Sequence, residues 1–295
     1  MVNVGNYGKI SDLNIWGNRH GAYPIMDVIY LWPSSWPKWS AFYTVGVQIP
    51  GICVILSSMS SLLEAHNLTK SYGSTTALNE VTFSIPEGVT GLLGPNGAGK
   101  STAIKLFLGL IKPTDGFATV LGEEPYRTLT GRSRLGYMPE YDALPSNMTS
   151  SDFLMHMAEV SGLPGHQART RTADTLRHVG LDEERFRPIG QYSTGMKQRV
   201  KLAQALVHDP VLVLLDEPTV GLDPGGREEM LGLIRRTARE FGISMVLSTH
   251  LMGDIERTAD RVIVLENGQV IEEGPVANYT QETEDLVVEV DDQRD

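Results

Sequence analysis

Residues 88–111 read "GVTGLLGPNGAGKSTAIKLFLGLI". The run predicts a strand, a glycine-rich loop and a helix, and the loop between them decides the fold. "GPNGAGKST" fits G-x-x-x-x-G-K-[ST] at Gly94, Gly99, Lys100 and Ser101. Glycines let successive backbone N–H groups turn inward around phosphate oxygens with no Cβ in the way. A lysine in this place reaches β- and γ-phosphates, a serine hydroxyl suits Mg²⁺, and the helix start adds the positive end of its dipole. Gly94, Pro95, Asn96, Gly97, Ala98, Gly99, Lys100, Ser101 and Thr102 are therefore the expected triphosphate cradle. Ile104, Phe107, Leu108 and Ile111 give the helix an apolar face, and Pro113 is expected to end it.

Downstream, "VLVLLDEPT" (211–219) carries a short apolar run suited to a strand buried on both faces. Asp216 closes that strand, where a carboxylate helps hold Mg²⁺ through water, and Glu217 follows it, placed to polarise an attacking water. An Asp-Glu pair after a strand is by itself usually a solvated loop. Its position after a phosphate loop and before a proline makes it a candidate site. "ISMVLSTH" (243–250) reads as another buried strand and closes on His250. A neutral imidazole there could bond the γ-phosphate and orient water beside Glu217. Parallel sheets gather ligands at the carboxyl ends of their strands, where all these groups fall.

"QYSTGMKQRVKLAQAL" (191–206) sets Ser193, Thr194 and Gly195 before a helix in which Lys197, Arg199 and Lys201 interleave with Val200, Leu202, Ala203 and Leu206. Ser193 or Thr194 is a natural cap. The open N–H groups of such a helix start also bind phosphate. The residues alone leave both uses open.

The remaining segments set these motifs in order. Residues 62–88 read as short strands separated by a turn at Gly73. Residues 149–162 open with a capping-box pattern, Thr149 with Asp152, and close on Gly162. A helix at 168–180 stops at Gly180, and 227–240 is amphipathic. Residues 261–274 place Asn267-Gly268 between two strands, a hairpin signal. The acidic end, 281–295, suggests one more strand and a tail. The class is α/β.

The chain has 295 residues and a net charge of −11, which argues against a nucleic-acid binder with a broad basic surface. Cys53 is its only cysteine, which excludes a disulfide framework. All four tryptophans, Trp16, Trp32, Trp36 and Trp39, lie near the start. "AFYTVGVQIPGICVILSSM" (41–59) is uncharged and long enough to be weighed as a membrane span, although Gln48, Pro50 and two glycines interrupt it. Three readings of residues 1–58 stay open: a membrane-associated segment, a poorly ordered appendage, or residues upstream of a true start at Met59.

The ordered set of Tyr72, the phosphate loop, "LGYMPE" (135–140), "YSTGM" (192–196), the Asp216–Glu217 strand, "GLDP" (221–224) and "STH" (248–250) resembles the nucleotide-binding subunit of an ATP-binding cassette (ABC) transporter. The resemblance spans about Leu62 to Gly274. It implies a P-loop NTPase (RecA-like) core, an antiparallel β subdomain and a helical subdomain carrying the signature. The implied boundaries are a cassette at 59–276, with its helical part about 137–205, and an acidic tail at 277–295. The implied cofactors are ATP and Mg²⁺, with hydrolysis powering a separate permease at the cytoplasmic face of the membrane.

The resemblance also implies roles. "YSTGM" sits where the family has its Leu-Ser-Gly-Gly-Gln signature; Ser193 and Gly195 match and Tyr192, Thr194 and Met196 do not. There Ser193, Thr194 and Gly195 would meet ATP held by an opposite subunit, so two copies, or a copy and a related subunit, pair head to tail. Tyr72 would stack on adenine, Glu217 and His250 would be catalytic, and Asp223 would couple the paired sites. Ser101 and Asp216 would serve Mg²⁺. Glu140 stands where the family usually has Gln, and a carboxylate there could still reach the metal through water. A soluble ABC ATPase acting on DNA or the ribosome is the rival reading. Against it, the chain shows neither a long coiled coil between the two nucleotide motifs nor a second cassette. The short stretch after Gly274 and the Met196–Arg199 ending of the signature resemble exporter-type cassettes.

Overall fold

A computed structural model of the chain describes residues 61–279 and the backbone of 48–49 and 52–53. The chain divides into two compact units, 1–58 and 59–295. In the first, β1 (Gln48–Ile49) and β2 (Ile52–Cys53) pair antiparallel, with Ile49 opposite Ile52. The rest of the apolar run weighed as a membrane span, and the strand and tail expected at 281–295, lie outside the described residues.

Among the described residues, the second unit holds two sheets. β3 (Leu63–Tyr72), β4 (Thr75–Ile85) and β6 (Asp115–Val120) form an antiparallel sheet in the order β4-β3-β6. The turn expected at Gly73 joins β3 to β4, but both strands are longer than the sequence suggested, at 10 and 11 residues. β5 (Val89–Leu93), β7 (Leu135–Met138), β8 (Leu212–Asp216), β9 (Ser244–Thr249), β10 (Arg261–Glu266) and β11 (Gln269–Pro275) form the larger sheet, ordered β11-β10-β5-β9-β8-β7. Its pairs are parallel except β10 with β11, the hairpin that turns on Asn267 and Gly268, both at positive φ.

Parallel strands covered on both faces should be apolar throughout, and β8 and β9 are buried at every position. Their side chains alternate between two cores. Val213, Leu215, Met245 and Leu247 pack with Val200, Leu206 and Ile234 on one face. Leu212, Leu214 and Val246 pack with Leu63, Phe83 and Phe107 on the other. The small antiparallel sheet is thereby held over the face opposite the long helices. The chain reaches β7 after β5, returns through β8 and β9 to lie beside β5, and then continues to β10 on its far side. This reversal makes the carboxyl end of β5 the switch point, where open α/β sheets hold ligands.

Six α-helices complete the described residues of the unit. α1 (Lys100–Phe107) follows the phosphate loop. It does not run to Pro113 as its apolar pattern suggested. The N–H of Gly109 bonds the carbonyl of Leu106 and that of Leu110 bonds Lys105, a Schellman closure on a left-handed Gly109. A Cβ at Gly109 would lie 2.3 Å from the carbonyl oxygen of Pro125, so packing as well as conformation calls for glycine there. α2 (Ser150–Val160) and α3 (Gly165–His178) close in the same way on Gly162 and Gly180, as expected. Thr149 caps α2 by accepting from the Asp152 N–H at 3.1 Å. α4 (Thr194–Leu206) packs against β7, and α5 (Pro224–Phe241) begins earlier than its apolar stripe, because Asp223 caps it and Pro224 opens it. α6 (Met252–Thr258) leads into β10. Among the described residues no helix is long and apolar enough to cross a membrane.

Candidate nucleotide site

The loop from Gly94 to Gly99 joins the end of β5 to α1, with Pro95, Asn96 and Gly97 exposed and Ala98 and Gly99 buried. Gly99 caps α1 at φ 106°, a conformation open to glycine. At Gly94 the constraint is space, since a Cβ would meet the Leu265 carbonyl at 2.3 Å. Lys100 points back under this loop, donating to the carbonyls of Gly94 at 2.7 Å and Pro95 at 3.3 Å. Its ammonium lies 3.2 Å from Glu217 Oε1. Thr102, one residue past Ser101, is half-buried in the first turn of α1.

β8 and β9 bring the other groups to the same place. Ser101 Oγ donates to Asp216 Oδ1 at 3.2 Å, and Ser248 Oγ donates to the same oxygen at 2.7 Å. The Glu217 N–H reaches Ser248 Oγ at 3.0 Å and the Ser248 carbonyl at 3.2 Å. These bonds hold Glu217 at φ 46°, a left-handed conformation that costs about 1–2 kcal/mol in a residue with a Cβ. The strained turn aims the carboxylate at two cationic or donor groups at once. Oε1 faces Lys100, and Oε2 lies 3.1 Å from His250 Nδ1. Glu217 is buried, whereas the imidazole of His250 is 44 % exposed.

The residues fit Mg²⁺ by their donor chemistry. Ser101 and Asp216 offer adjoining hard oxygen donors, and among the described residues no cluster of three His, Cys, Asp or Glu forms a cage. Mg²⁺ typically takes one or two protein oxygens and completes its shell with phosphate and water. Glu140, just past β7, is half-buried. Its carboxylate acts electrostatically on Tyr137, whose phenol burial, Asp216 and Glu140 together push up to about 12.

The sequence reading thus converges at Lys100, Ser101, Asp216, Glu217 and His250. Tyr72 and the signature residues stand apart, with no hydrogen bond or ion pair to that cluster among the described residues. Tyr72 is 49 % exposed at the end of β3, with Lys70 Nζ 5.1 Å from its ring centre, so it is not a packed tyrosine. Ser193 caps α4, accepting from the Met196 N–H at 3.3 Å. With Thr194, Gly195, Gly221 and Asp223 it borders an open hollow of about 690 Å³.

Sequence reasoning passed over three groups. Ser248 joins the two acidic residues, but a hydroxyl inside "STH" gives no sign of this until β8 and β9 are paired. Buried Asp254 accepts from Thr219 Oγ1 at 2.8 Å and Thr249 Oγ1 at 3.3 Å, tying the loop after Glu217 to the end of β9. Gln198, also buried, donates to the Val220 carbonyl at 3.0 Å and fixes α4 to the same loop.

The sequence matches the ABC transporter family over residues 78–220. It is 38 % identical over 222 residues to the ABC transporter ATP-binding protein YxlF of Bacillus subtilis strain 168, an alignment covering 75 % of this chain and 73 % of that protein. The chain belongs to the ABC transporter family. This cassette is also 40 % identical over 214 residues to the Nod factor export ATP-binding protein I of Sinorhizobium fredii, covering 72 % of this chain and 62 % of that one. A solved dimer of the ATP-binding cassette MJ0796, in a post-hydrolysis state with ADP and phosphate, superposes with a TM-score of 0.65 at 27 % identity, covering 72 % of the cassette and 98 % of that chain. The chain is an ATP-binding, ATP-hydrolysing subunit of a transporter, on an α/β P-loop NTPase fold.

Proposed function

We propose that this subunit powers export through a separate membrane permease chain, working at the cytoplasmic face as a head-to-tail pair of cassettes. The Glu217 turn carries the reading. A strained, buried carboxylate is held between the phosphate-loop lysine and a half-exposed histidine at the strand ends. Direction is argued from the exporter-like ending of the signature and the likeness to a Nod factor export protein.

In this proposal ATP enters with its adenine on exposed Tyr72 and its phosphates over Gly94–Thr102. The γ-phosphate draws Lys100 from Glu217, which frees Oε1 to accept a proton from the attacking water. His250 gives its Nδ1–H to Oε2 and so orients that carboxylate, and turns the same N–H to the γ-phosphate once ATP is bound. Bound at Ser101 and Asp216, Mg²⁺ would offset charge on the β- and γ-oxygens, with Glu140 reaching it through water. Ser193, Thr194 and Gly195 of the second copy supply a hydroxyl, N–H groups and a helix dipole to the same phosphate. Asp223, which borders that hollow, would couple the paired sites.

The test is Glu217→Gln with ATP and Mg²⁺. The variant is expected to accumulate as a dimer by light scattering, with turnover reduced at least about a hundredfold. Turnover near wild type rejects Glu217 as the base. Glu140→Gln is expected to keep ATP binding and lower the Mg²⁺ concentration needed for hydrolysis; an unchanged requirement removes Glu140 from the metal.

A further inference from the structure

Helix α4 begins at the signature residues and, about two turns further on, sends Lys201 into the interior. The side chain is 1 % exposed. A buried ammonium costs several kcal/mol unless its three protons are met. Here all three are aimed at one short segment. Nζ donates to the carbonyls of Pro139 at 2.9 Å and Glu140 at 2.8 Å, and Asp142 Oδ1 lies 3.5 Å away.

Packing gives no reason for a cation in this place. The flanking positions of α4, Val200, Leu202 and Ala203, are fully buried and apolar, and a methionine would fill the site without a desolvation cost. What the lysine does is fasten a loop. β7 pairs with β8 up to Met138 opposite Leu215, so Pro139 and Glu140 leave the sheet level with Asp216. Glu140, Asp142 and Asp216 all favour the charged lysine against the burial that disfavours it. The ammonium therefore sits between the acidic side of the nucleotide site and the helix whose start carries Ser193 and Gly195.

We propose that Lys201 is a positioning residue for ATP hydrolysis: it pins the Pro139–Glu140 backbone to α4, holding Glu140 at the strand end level with Asp216 and making that segment and the signature helix move as one body. This rests on the reading of Asp216 as the metal side of the site and of Ser193–Gly195 as the partner-facing group. The loop at a subunit's own ATP and the group it offers to the opposite ATP then share one rigid link.

The test uses Lys201→Met and, should that variant fold poorly, Lys201→Gln, both in the full chain. Amide hydrogen exchange is read over 139–144 and over 94–102, and kcat and KM for ATP are measured at saturating Mg²⁺. Exchange in 139–144 is expected to rise about tenfold with 94–102 unchanged. kcat is expected to fall about tenfold with KM within about twofold. A folded variant with wild-type kcat, or with unchanged exchange in 139–144, overturns the proposal. A lysine that only supported the fold would lower the melting temperature and leave both readouts alone below it. Glu140→Gln with Lys201 intact reports separately on the metal reading, so failure there and failure here are told apart.

Discussion

The ammonium of Lys100 stands 3.2 Å from Glu217 Oε1, and both side chains are more than nine-tenths buried. Each is the other's compensating charge, so the triphosphate cradle and the group proposed as base share one electrostatic state. Removing one partner strands the other, at a typical cost of about 3–5 kcal/mol for a buried pair. Lys100→Met is expected to abolish ATP binding and also to lower stability by about 3 kcal/mol in chemical denaturation. Adding Glu217→Gln to it should restore most of the stability and none of the binding. A Lys100→Met protein as stable as wild type would show that the pair carries no weight.

His250 holds the other oxygen of the same carboxylate at 3.1 Å, but from a half-exposed position. Loss of the imidazole opens no cavity. His250→Ala should therefore keep its melting temperature within about a degree while kcat drops about a hundredfold, with KM for ATP within about threefold. Steady-state kinetics and a thermal melt on one preparation decide it. A large loss of stability with unchanged kcat would make the histidine structural.

Gly195 separates what the protomer needs from what a partner needs. A Cβ there meets only Leu222 Cδ2, at 3.8 Å, so the chain has room for one. In the first turn of α4 an aspartate would favour the helix, by about 0.3–1 kcal/mol through the dipole. The same carboxylate would repel a phosphate brought by the opposite subunit. Gly195→Asp is expected to melt no lower than wild type, to bind ATP normally and to lose at least about nine-tenths of its turnover. Full turnover in this variant would remove the signature from the site.

Two half-buried histidines give the fold an acid limit. Burial lowers the pKa of His178, which bonds Thr237 Oγ1 at 2.8 Å, and of His208, which bonds the Leu135 carbonyl at 2.9 Å. Because their folded values lie below the ordinary 6.5, the unfolded chain takes up protons first as pH falls. Their contribution to stability is whole above about pH 6.5 and declines below it, down to their folded values. Melting temperatures measured from pH 7.5 to 5 should fall, and the fall should shrink in His208→Asn. A slope unchanged by that substitution would assign the acid sensitivity elsewhere.

Much of the site could be read from the chain because its chemistry is written in contiguous residues. A phosphate loop needs its glycines and lysine side by side, and an acidic pair at a strand end is visible as an apolar run that stops. Turns and stops set by local backbone geometry were legible for the same reason, at Gly73, Gly162, Gly180 and Asn267-Gly268. The end of α1 follows the same local closure, on Gly109, but the apolar pattern that runs on to Ile111 masked it.

The sequence by itself determined which groups gather at the strand ends, and the order of strands and helices that delivers them. Only the tertiary structure decided which strand lies beside which, and so that Ser248 joins Asp216 to Glu217 and that Lys201 turns inward to hold residues 139 and 140. The reason is range. Local chemistry is fixed by neighbours in the chain, whereas a hydroxyl or an ammonium acquires its role from partners 31 to 62 residues away, once folding has set them within 3 Å.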